Sequence, residues 1–147
     1  NVTPGNVTDY DYLAGEVLRL RELYNIQAIG YDPHNAWQTI TKLEADGMPM
    51  ERLDKFSQGI MNMSPPSKEF ERLVRMKRIN HGGNPVLRWM LQNCVPYYDF
   101  NGNLKVHRMK ENTGGKIDGI VAAIIAVGEF LKNPQEAVYS KDDIYFI

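Results

Sequence analysis

The sequence predicts an α/β domain built from layers of helices and short strands. Apolar residues recur at helical spacing in several segments, and short, mostly apolar runs stand between those segments. Residues 117–131 are apolar almost all round, which is typical of a helix that is buried on every side. Because helices and strands alternate along the chain, we expect them to pack as layers around a hydrophobic core.

The first half of the chain is predicted to hold two helices and two strands. Thr8, which acidic residues follow, favours a helix start because its hydroxyl can accept a backbone N–H. Asp32-Pro33 ends an apolar strand, since proline biases the preceding residue toward extended geometry. Asp46-Gly47 is typical of a helix end. The predicted elements are a helix over 8–24, a strand over 26–31, a helix over 35–45 and a strand over 50–56.

The second half is predicted to hold helices around a β-hairpin. Ser64-Pro65-Pro66 favours a helix start, since proline suits the first helical turn. Asn101-Gly102 favours a two-residue hairpin turn. The predicted elements are a helix from residue 64, a break over 81–85, a helix over 85–93, hairpin strands over 95–100 and 103–108, a polar loop over 109–116 and a helix over 117–131.

The composition is typical of an ordinary soluble globular protein. Of 147 residues, 43% are hydrophobic and 24% are charged, which suits one domain with a sizeable core. The net charge of -1 and the pI near 6.3 do not indicate a nucleic-acid binder, so any DNA contact must come from local basic patches. The sequence shows neither a secretory signal nor an apolar stretch approaching the ~20 residues of a membrane span, so we expect an intracellular protein.

Two kinds of chemistry are disfavoured by the residues themselves. The single cysteine, Cys94, excludes an internal disulfide. It follows an apolar run, so a buried thiol is expected, with a nucleophile as the less favoured alternative. No glycine-rich phosphate loop ending in Lys-Ser or Lys-Thr occurs in the sequence, so these residues do not contain a P-loop ATPase.

Two aspartates stand at positions suited to metal binding. Asp32 comes where a buried strand ends, and Asp118 comes where a buried helix begins. Open α/β sheets bind ligands beyond the carboxyl ends of their strands, and carboxylates there suit hard cations such as magnesium or manganese. Two cations roughly 4 Å apart can activate water and stabilise the leaving oxygen in phosphodiester cleavage. The spacing leaves ordinary alternatives open, because such aspartates are often helix caps or turn residues.

Several local motifs run through residues 1–132 in a fixed order. The two that carry aspartates are Tyr31-Asp32-Pro33-His34-Asn35-Ala36 and Lys116-Ile117-Asp118-Gly119-Ile120-Val121-Ala122. The others are Thr3-Pro4-Gly5-Asn6-Val7-Thr8-Asp9, Met63-Ser64-Pro65-Pro66, His81-Gly82-Gly83-Asn84-Pro85-Val86-Leu87 and Lys110. This ordered set resembles the nuclease domain of the large terminase subunit of tailed bacteriophages and prophages. In that family the two aspartate motifs carry the second and the last acidic residue of the site.

The resemblance implies a ribonuclease H-like nuclease fold. It implies a metal-dependent endonuclease that cuts concatemeric double-stranded DNA to start and finish packaging. Asp32 and Asp118 would be its catalytic metal ligands, and the complete domain would bind two divalent ions, magnesium or manganese. The implied partners are double-stranded DNA, the portal protein, the small terminase subunit and the ATPase domain of the same polypeptide. The implied location is the cytoplasm of the host bacterium.

The chain departs from the family pattern at its beginning. The family's first acidic residue lies upstream of the segment that matches Asn1, so we expect this fragment to lack the first strands and to bind metal poorly. An incomplete sheet would expose an edge through which the chain could self-associate. His34 also stands where relatives often carry a bulky aromatic residue. We assign residues 1–132 to the partial nuclease domain and residues 133–147 to a C-terminal tail.

Basic residues around the predicted hairpin are candidates for DNA contact. Binding to the phosphate backbone needs such a patch, and this one leads directly into Asp118. A second basic group, over residues 68–88, is explained equally well as an ordinary solvated face. The predicted DNA contacts are Lys105, Arg108, Lys110 and Lys116.

Two other functions remain open at this point. One is a non-catalytic DNA-holding or portal-docking module of the packaging motor, in which the acids are structural. The other is a different ribonuclease H-like nuclease, such as a transposase or a junction resolvase, which shares the carboxylate chemistry. His34 and His81 are further candidates for the site, although a histidine before Gly-Gly is more often a loop residue.

Overall fold

A computed structural model describes residues 9–110, 114–132 and 144–145 of the chain. The chain divides into two compact units, Asn1–Ser57 and Gln58–Ile147. The described residues form five α-helices and six short strands, and these strands pair as three two-stranded sheets. This mixed content of helices and strands confirms the predicted α/β class.

The first unit holds two helices and a parallel pair of strands. Its elements in chain order are α1 (Tyr10–Leu23), β1 (Ile29–Tyr31), α2 (Trp37–Ala45), a 3-10 turn (Met50–Arg52) and β2 (Leu53–Lys55). The pairing places Ile29 opposite Leu53 and Tyr31 opposite Lys55. The core of this unit is apolar, because each element turns one face inward. Its buried side chains are Ala14, Leu43, Met48 and Leu53.

Asp9 is the N-cap residue of α1, directly before the first helical residue. Its backbone is extended, and its Oδ1 accepts the backbone N–H of Tyr12 at 2.9 Å. This bond satisfies one of the N–H groups that the first turn of a helix leaves without an intrahelical partner. The predicted cap, Thr8, lies outside the described residues, and the cap is one position later than predicted.

The second unit holds three helices, a β-hairpin and a short parallel pair. Its elements are α3 (Ile60–Arg75), β3 (Ile79–Asn80), α4 (Pro85–Gln92), β4 (Cys94–Tyr98), β5 (Leu104–Arg108), α5 (Asp118–Lys132) and β6 (Ile144–Tyr145). Strands β4 and β5 pair in antiparallel fashion, and β3 pairs with β6 in parallel. Helix α3 packs against both α5 and β5. The buried apolar side chains of this unit include Met63, Phe70, Leu73, Leu104, Ile120, Ile124 and Val127.

The start predicted for α3 at Ser64 is wrong, because the helix begins at Ile60 and contains both prolines. The carbonyl of Gly59 already accepts the N–H groups of Asn62 and Met63, at 3.1 and 3.0 Å. Proline inside a helix removes the bond to the carbonyl four residues earlier. Here those carbonyls belong to Met61 and Asn62, in the first turn of the helix, and both residues are exposed.

The predicted two-residue hairpin turn is also wrong. The last strand pair is Tyr98 with Leu104, so residues 99–103 form the loop. Asp99 organises that loop, because its Oδ1 accepts the N–H groups of Asn101 and Asn103 at 2.9 and 2.8 Å. Its Oδ2 accepts the side-chain amide of Asn103 at 2.9 Å. Hydrogen bonds from Asn103, with that side-chain bond the largest cause, lower the pKa of Asp99.

Other boundaries differ from the predictions by a few residues. The strand predicted over 26–31 is confined to Ile29–Tyr31, and the strand predicted over 50–56 begins with a 3-10 turn. Helix α2 begins at Trp37 rather than Asn35, because Asn35 has a φ of 59°, in the left-handed region. The predicted division at residue 132 stays a prediction, and residues 133–143 lie outside the described part of the chain. No helix among the described residues is long and apolar enough to cross a bilayer.

We expect Ser64→Ala to lower the free energy of unfolding by about 1–3 kcal/mol, because it leaves a buried donor without an acceptor. Ser64 is 3% exposed, and its Oγ accepts the backbone N–H of Leu104 at 3.1 Å. Urea unfolding of both proteins measures the effect.

Ser67→Ala is the matched control on the same helix. Ser67 is 2% exposed, and its Oγ has no hydrogen-bond partner among the described residues. Its replacement should therefore leave the stability nearly unchanged. Equal losses in the two variants would contradict the role assigned to Ser64.

Candidate functional site

Asp32 directly follows β1, and a local turn fixes its carboxylate. Its Oδ1 accepts the backbone N–H of His34 at 2.9 Å across Pro33. This bond is the Asx turn that aspartate favours at such positions. The carboxylate is half-buried, whereas Pro33 and His34 are exposed. A carboxylate oriented by a backbone N–H is a suitable ligand for a hard cation, because the hydrogen bond fixes its direction.

Strand pairing holds the end of β1 in place up to Asp32. The carbonyl of Tyr31 accepts the N–H of Phe56 at 2.8 Å, which continues the pairing of β1 with β2. Phe56 is 4% exposed. The residue before the candidate ligand is therefore tied to the neighbouring strand by its backbone.

Asp118 is the first residue of α5, and its side chain is exposed. The carbonyl of Ile117 accepts the N–H groups of Ile120 and Val121, both at 3.0 Å, so the first turn of the helix is closed. A carboxylate is favoured here, because the N-terminus of a helix carries a partial positive charge. Asp118 thus stands at the surface, on an element whose remaining length lies largely in the core.

Helix α4 contacts the chain on both sides of Asp118. The side-chain Nδ2 of Asn93, the residue after α4, donates to the carbonyl of Lys116 at 3.2 Å. The backbone N–H of Gly119 donates to the Sδ of Met90 at 3.2 Å. The backbone is therefore bonded to α4 and to the residue after it on both sides of Asp118.

Gly119 allows α4 and α5 to approach closely. A Cβ at this position would lie 2.8 Å from Met90 Sδ and 3.3 Å from Leu87 Cδ1. Any other residue would force those side chains to move. The glycine that follows the aspartate in the last motif therefore has a packing role in this chain.

The His81–Pro85 segment sets where α4 begins, as predicted. Gly82 and Gly83 have φ values of 56° and 75°, which only glycine adopts readily. The Oδ1 of Asn84 then accepts the N–H groups of Val86 and Leu87, at 2.9 and 3.0 Å. Asn84 is thus a helix cap, with proline in the first turn after it.

The two candidate histidines lie in different units and different environments. His34 is exposed in the turn after β1. His81 follows β3 and is half-buried, and its Nδ1 is buried without a hydrogen-bond partner among the described residues. Its carbonyl accepts the N–H of Asn84 at 3.0 Å, which gives it a part in the turn before α4. A site role for either histidine stays a prediction.

The predicted DNA contacts all lie in the second unit. Lys105 is half-buried, and its Nζ donates to the carbonyl of Gln58 at 2.7 Å, so it also has a structural role. The other predicted contacts, at the end of β5 and between β5 and α5, are exposed: Arg108, Lys110 and Lys116.

The second basic group contains ion pairs within α3. Arg72 contacts Glu69 at 2.7 Å, and Arg75 contacts Glu71 at 2.6 Å. The bond from Arg72 lowers the pKa of Glu69. Exposed pairs one helical turn apart are typical of a solvated helix face. These arginines are therefore weaker candidates for phosphate contact than the exposed residues near α5.

Cys94 is a half-buried free thiol, whereas the sequence predicted a buried one. Burial raises its pKa to about 11, and its Sγ donates to the carbonyl of Met90 at 3.4 Å. Because the thiolate is the nucleophilic form, this environment disfavours a catalytic role at neutral pH.

The division of the chain also divides the predicted site. Asp32 and His34 belong to the first unit, whereas Asp118, His81 and the basic residues belong to the second. Within residues 9–110, 114–132 and 144–145, no group of three or more His, Cys, Asp or Glu side chains could hold a metal ion. Metal binding by Asp32 and Asp118 stays a prediction.

Sequence reasoning missed the residues that position Asp118. Asn93 appeared only as the last residue of a predicted helix, and Met90 as one of an apolar run. The available signal was weak, because an asparagine at the end of a helix is usually interpreted as a local cap. Only the packing of α4 against α5 shows that these side chains bind residues that are distant in sequence.

Comparison with known proteins identifies related chains. Residues 5–134 match the family described as the endonuclease domain of the terminase large subunit. The chain is 33% identical over 143 residues to Protein YmfN of Escherichia coli strain K12, which covers 97% of this chain and 29% of that protein. It is 29% identical over 144 residues to the terminase large subunit of Enterobacteria phage HK97, which covers 98% of this chain and 28% of that protein.

A solved structure matches the fold. The crystal structure of the HK97 bacteriophage large terminase superposes with a TM-score of 0.75 at 30% sequence identity. The match covers 86% of this chain and 26% of that chain. The chain therefore spans less than a third of the length of the relatives that it matches.

We expect Gly119→Val to lower the free energy of unfolding by about 1–3 kcal/mol, because the added side chain overpacks the contact with α4. Urea unfolding measures the change. Gly15→Val in α1 is the matched control, since a Cβ at Gly15 meets nothing within 4 Å. If Gly119→Val were no more disruptive than its control, the close approach of the two helices would not need glycine.

Proposed function

Because the chain belongs to the terminase large subunit endonuclease family, we propose that it is the metal-dependent nuclease of a viral DNA-packaging terminase. It hydrolyses phosphodiester bonds in concatemeric double-stranded DNA. The fold is the ribonuclease H-like fold of that family. The observation that carries the proposal is the family match over residues 5–134, which spans both Asp32 and Asp118.

Asp32 and Asp118 are the proposed ligands of magnesium or manganese. Their oxygens are the hard donors that these cations prefer. A divalent cation held by such carboxylates lowers the pKa of a bound water and offsets charge on the leaving oxygen. Asp32 is suited to this role by the backbone bond that orients its carboxylate, and Asp118 by its exposure at the start of a firmly packed helix.

Exposed basic residues near α5 are the proposed contacts to the DNA backbone. Lys116 stands two positions before Asp118, so its ammonium can offset the charge of a phosphate close to that carboxylate. Arg108 and Lys110 are also exposed, at the end of β5 and on the segment that follows it. Lys105 is a weaker candidate, because its ammonium already donates to the carbonyl of Gln58. Contacts of this kind bind DNA without reading its sequence.

The wider packaging role is also part of the proposal. We propose that the chain works beside an ATPase domain of the same polypeptide, with the portal protein and the small terminase subunit as partners. The proposed location is the cytoplasm of a bacterial host. The family match favours this role over that of a transposase or a junction resolvase.

A non-catalytic DNA-holding or portal-docking module is the second candidate function. The observation that favours it is that both aspartates stand at structural positions: Asp32 Oδ1 accepts the N–H of His34, and Asp118 is in the first turn of α5. In this alternative, Asp32 stabilises the turn after β1 and Asp118 stabilises the first turn of α5. The two candidates differ in whether loss of a carboxylate abolishes cleavage or leaves it unchanged.

We expect Asp32→Asn and Asp118→Ala each to reduce DNA cleavage by more than about a hundredfold, because loss of a metal ligand removes several kcal/mol of transition-state stabilisation. The assay uses the full-length polypeptide that carries this sequence, with manganese and linear double-stranded DNA. Calorimetric titration with manganese should show weaker binding in both variants.

Asp11→Asn is the control, because the Asp11 side chain is 83% exposed and contacts only Lys42 among the described ion pairs. It should cleave at the wild-type rate. Full cleavage by Asp118→Ala protein would exclude the metal-ligand role of that residue and favour the docking module.

We expect the double variant Lys110→Ala/Lys116→Ala to bind DNA more weakly and with less dependence on salt. Each lost phosphate contact should reduce the slope of log affinity against log salt by about 0.9. Fluorescence anisotropy with duplex DNA over a salt series measures the slope. Arg75→Ala is the control, because Arg75 is already paired with Glu71. A slope equal to that of the control would show that the two lysines do not contact phosphates.

A further inference from the structure

We propose that Asn93 is a positioning residue, which fixes Lys116 and Asp118 relative to α4. The proposal rests on the proposed nuclease function, because it concerns the accuracy with which those two side chains are placed. Asn93 itself contacts neither DNA nor metal in this proposal. Its contribution is made through the backbone of the segment that leads into α5.

Asn93 is 4% exposed and stands between α4 and β4. Its backbone N–H donates to the carbonyl of Met90 at 3.1 Å. Its carbonyl accepts the N–H of Met109 at 2.8 Å. Its side-chain Nδ2 donates to the carbonyl of Lys116 at 3.2 Å. The same buried residue therefore binds α4, the residue after β5 and, through Lys116, the chain two residues before the start of α5.

These bonds tie together both ends of the connection from β5 to α5. Met109 begins that connection, and its bond to Asn93 extends the pairing of Cys94 with Arg108 in the hairpin. Lys116 lies near the other end, and the side-chain amide of Asn93 binds its carbonyl. A buried amide between two chain segments restricts both, because breaking the bond leaves a polar group unsatisfied.

A second hydrogen bond restrains the backbone on the other side of Asp118. Gly119 donates its N–H to Met90 Sδ, on the other side of the aspartate. Lys116 and Gly119 are thus both attached to the end of α4, and Asp118 stands between them. Without the amide of Asn93, the carbonyl of Lys116 loses its side-chain donor, and the bond from Gly119 to Met90 remains on the other side of Asp118. Lys116 and the first turn of α5 then gain freedom to shift.

The chemistry of the contact requires an amide at position 93. The carbonyl of Lys116 needs a donor, and an asparagine Nδ2 supplies one, whereas an aspartate of the same shape cannot donate. Placement matters for function because misplacement of a reacting group by about 1 Å can cost a hundredfold in rate. Residues that orient metal ligands typically change metal affinity by about 10–100-fold when they are replaced.

The test compares Asn93→Asp and Asn93→Ala with the wild type in the full-length polypeptide that carries this sequence. Both variants keep the backbone carbonyl of residue 93 and lose the donor to Lys116. Hydrogen exchange should accelerate about three- to tenfold at the amides of Ile120 and Val121, which close the first turn of α5. The amide of Met109 should stay protected, because its acceptor is the unchanged backbone carbonyl.

Cleavage supplies the second readout. The manganese concentration that gives half-maximal cleavage should rise about tenfold or more in both variants. Asn103→Ala is the matched control. Its side chain also belongs to the second unit, where its amide donates to Asp99 in the hairpin loop and to Met61 in α3. It should change neither the exchange at Ile120 and Val121 nor the manganese dependence.

The outcomes separate this proposal from the proposed function. Unchanged exchange at Ile120 and Val121 in folded Asn93 variants overturns the positioning role, whatever the activity. Faster exchange with an unchanged manganese dependence, in a polypeptide that cleaves, overturns it as well. A wild-type polypeptide that does not cleave DNA with any divalent metal overturns the nuclease function itself, and the catalytic part of this proposal with it.

Discussion

The close contact between α4 and the first turn of α5 is the constraint on which the candidate site of the second unit depends. Gly119 permits the approach, because a Cβ there would lie 2.8 Å from Met90 Sδ. Hydrogen bonds then form on both sides of Asp118. The carbonyl of Lys116 accepts the side-chain N–H of Asn93, and the backbone N–H of Gly119 donates to Met90 Sδ. The backbone on either side of Asp118 is therefore attached to the buried Asn93 and the half-buried Met90.

The hydrogen bonds around the two candidate ligands differ in sequence range. Asp32 is held by a hydrogen bond to a residue two positions later, so its turn needs little beyond the local sequence. Asp118 depends on bonds to residues that precede it in the chain by more than twenty positions. The turn at Asp32 therefore involves residues close in sequence, whereas the contacts around Asp118 depend on the packing of α4 against α5.

The sequence-based predictions were correct for some helix starts and turns and wrong for others, although the interactions concerned are local. The start of α4 was predicted correctly, because Asn84 and Pro85 act on the next few residues. The start of α3 was not, because Pro65 and Pro66 lie inside the helix, which begins at Ile60. The residues four positions before them, Met61 and Asn62, are exposed. The hairpin turn was also missed, because Asp99 accepts bonds from several residues and enlarges the loop.

The sequence by itself determined the α/β class, the family and the identity of Asp32 and Asp118 as candidate ligands, because ordered motifs and hydrophobic periodicity are properties of the chain. Only the tertiary structure showed that Asn93 binds Lys116 and that Lys105 binds the carbonyl of Gln58. These bonds join residues 23 and 47 positions apart, respectively. No local pattern specifies such pairs, because packing of the apolar faces of the helices and strands must first bring them within hydrogen-bonding distance.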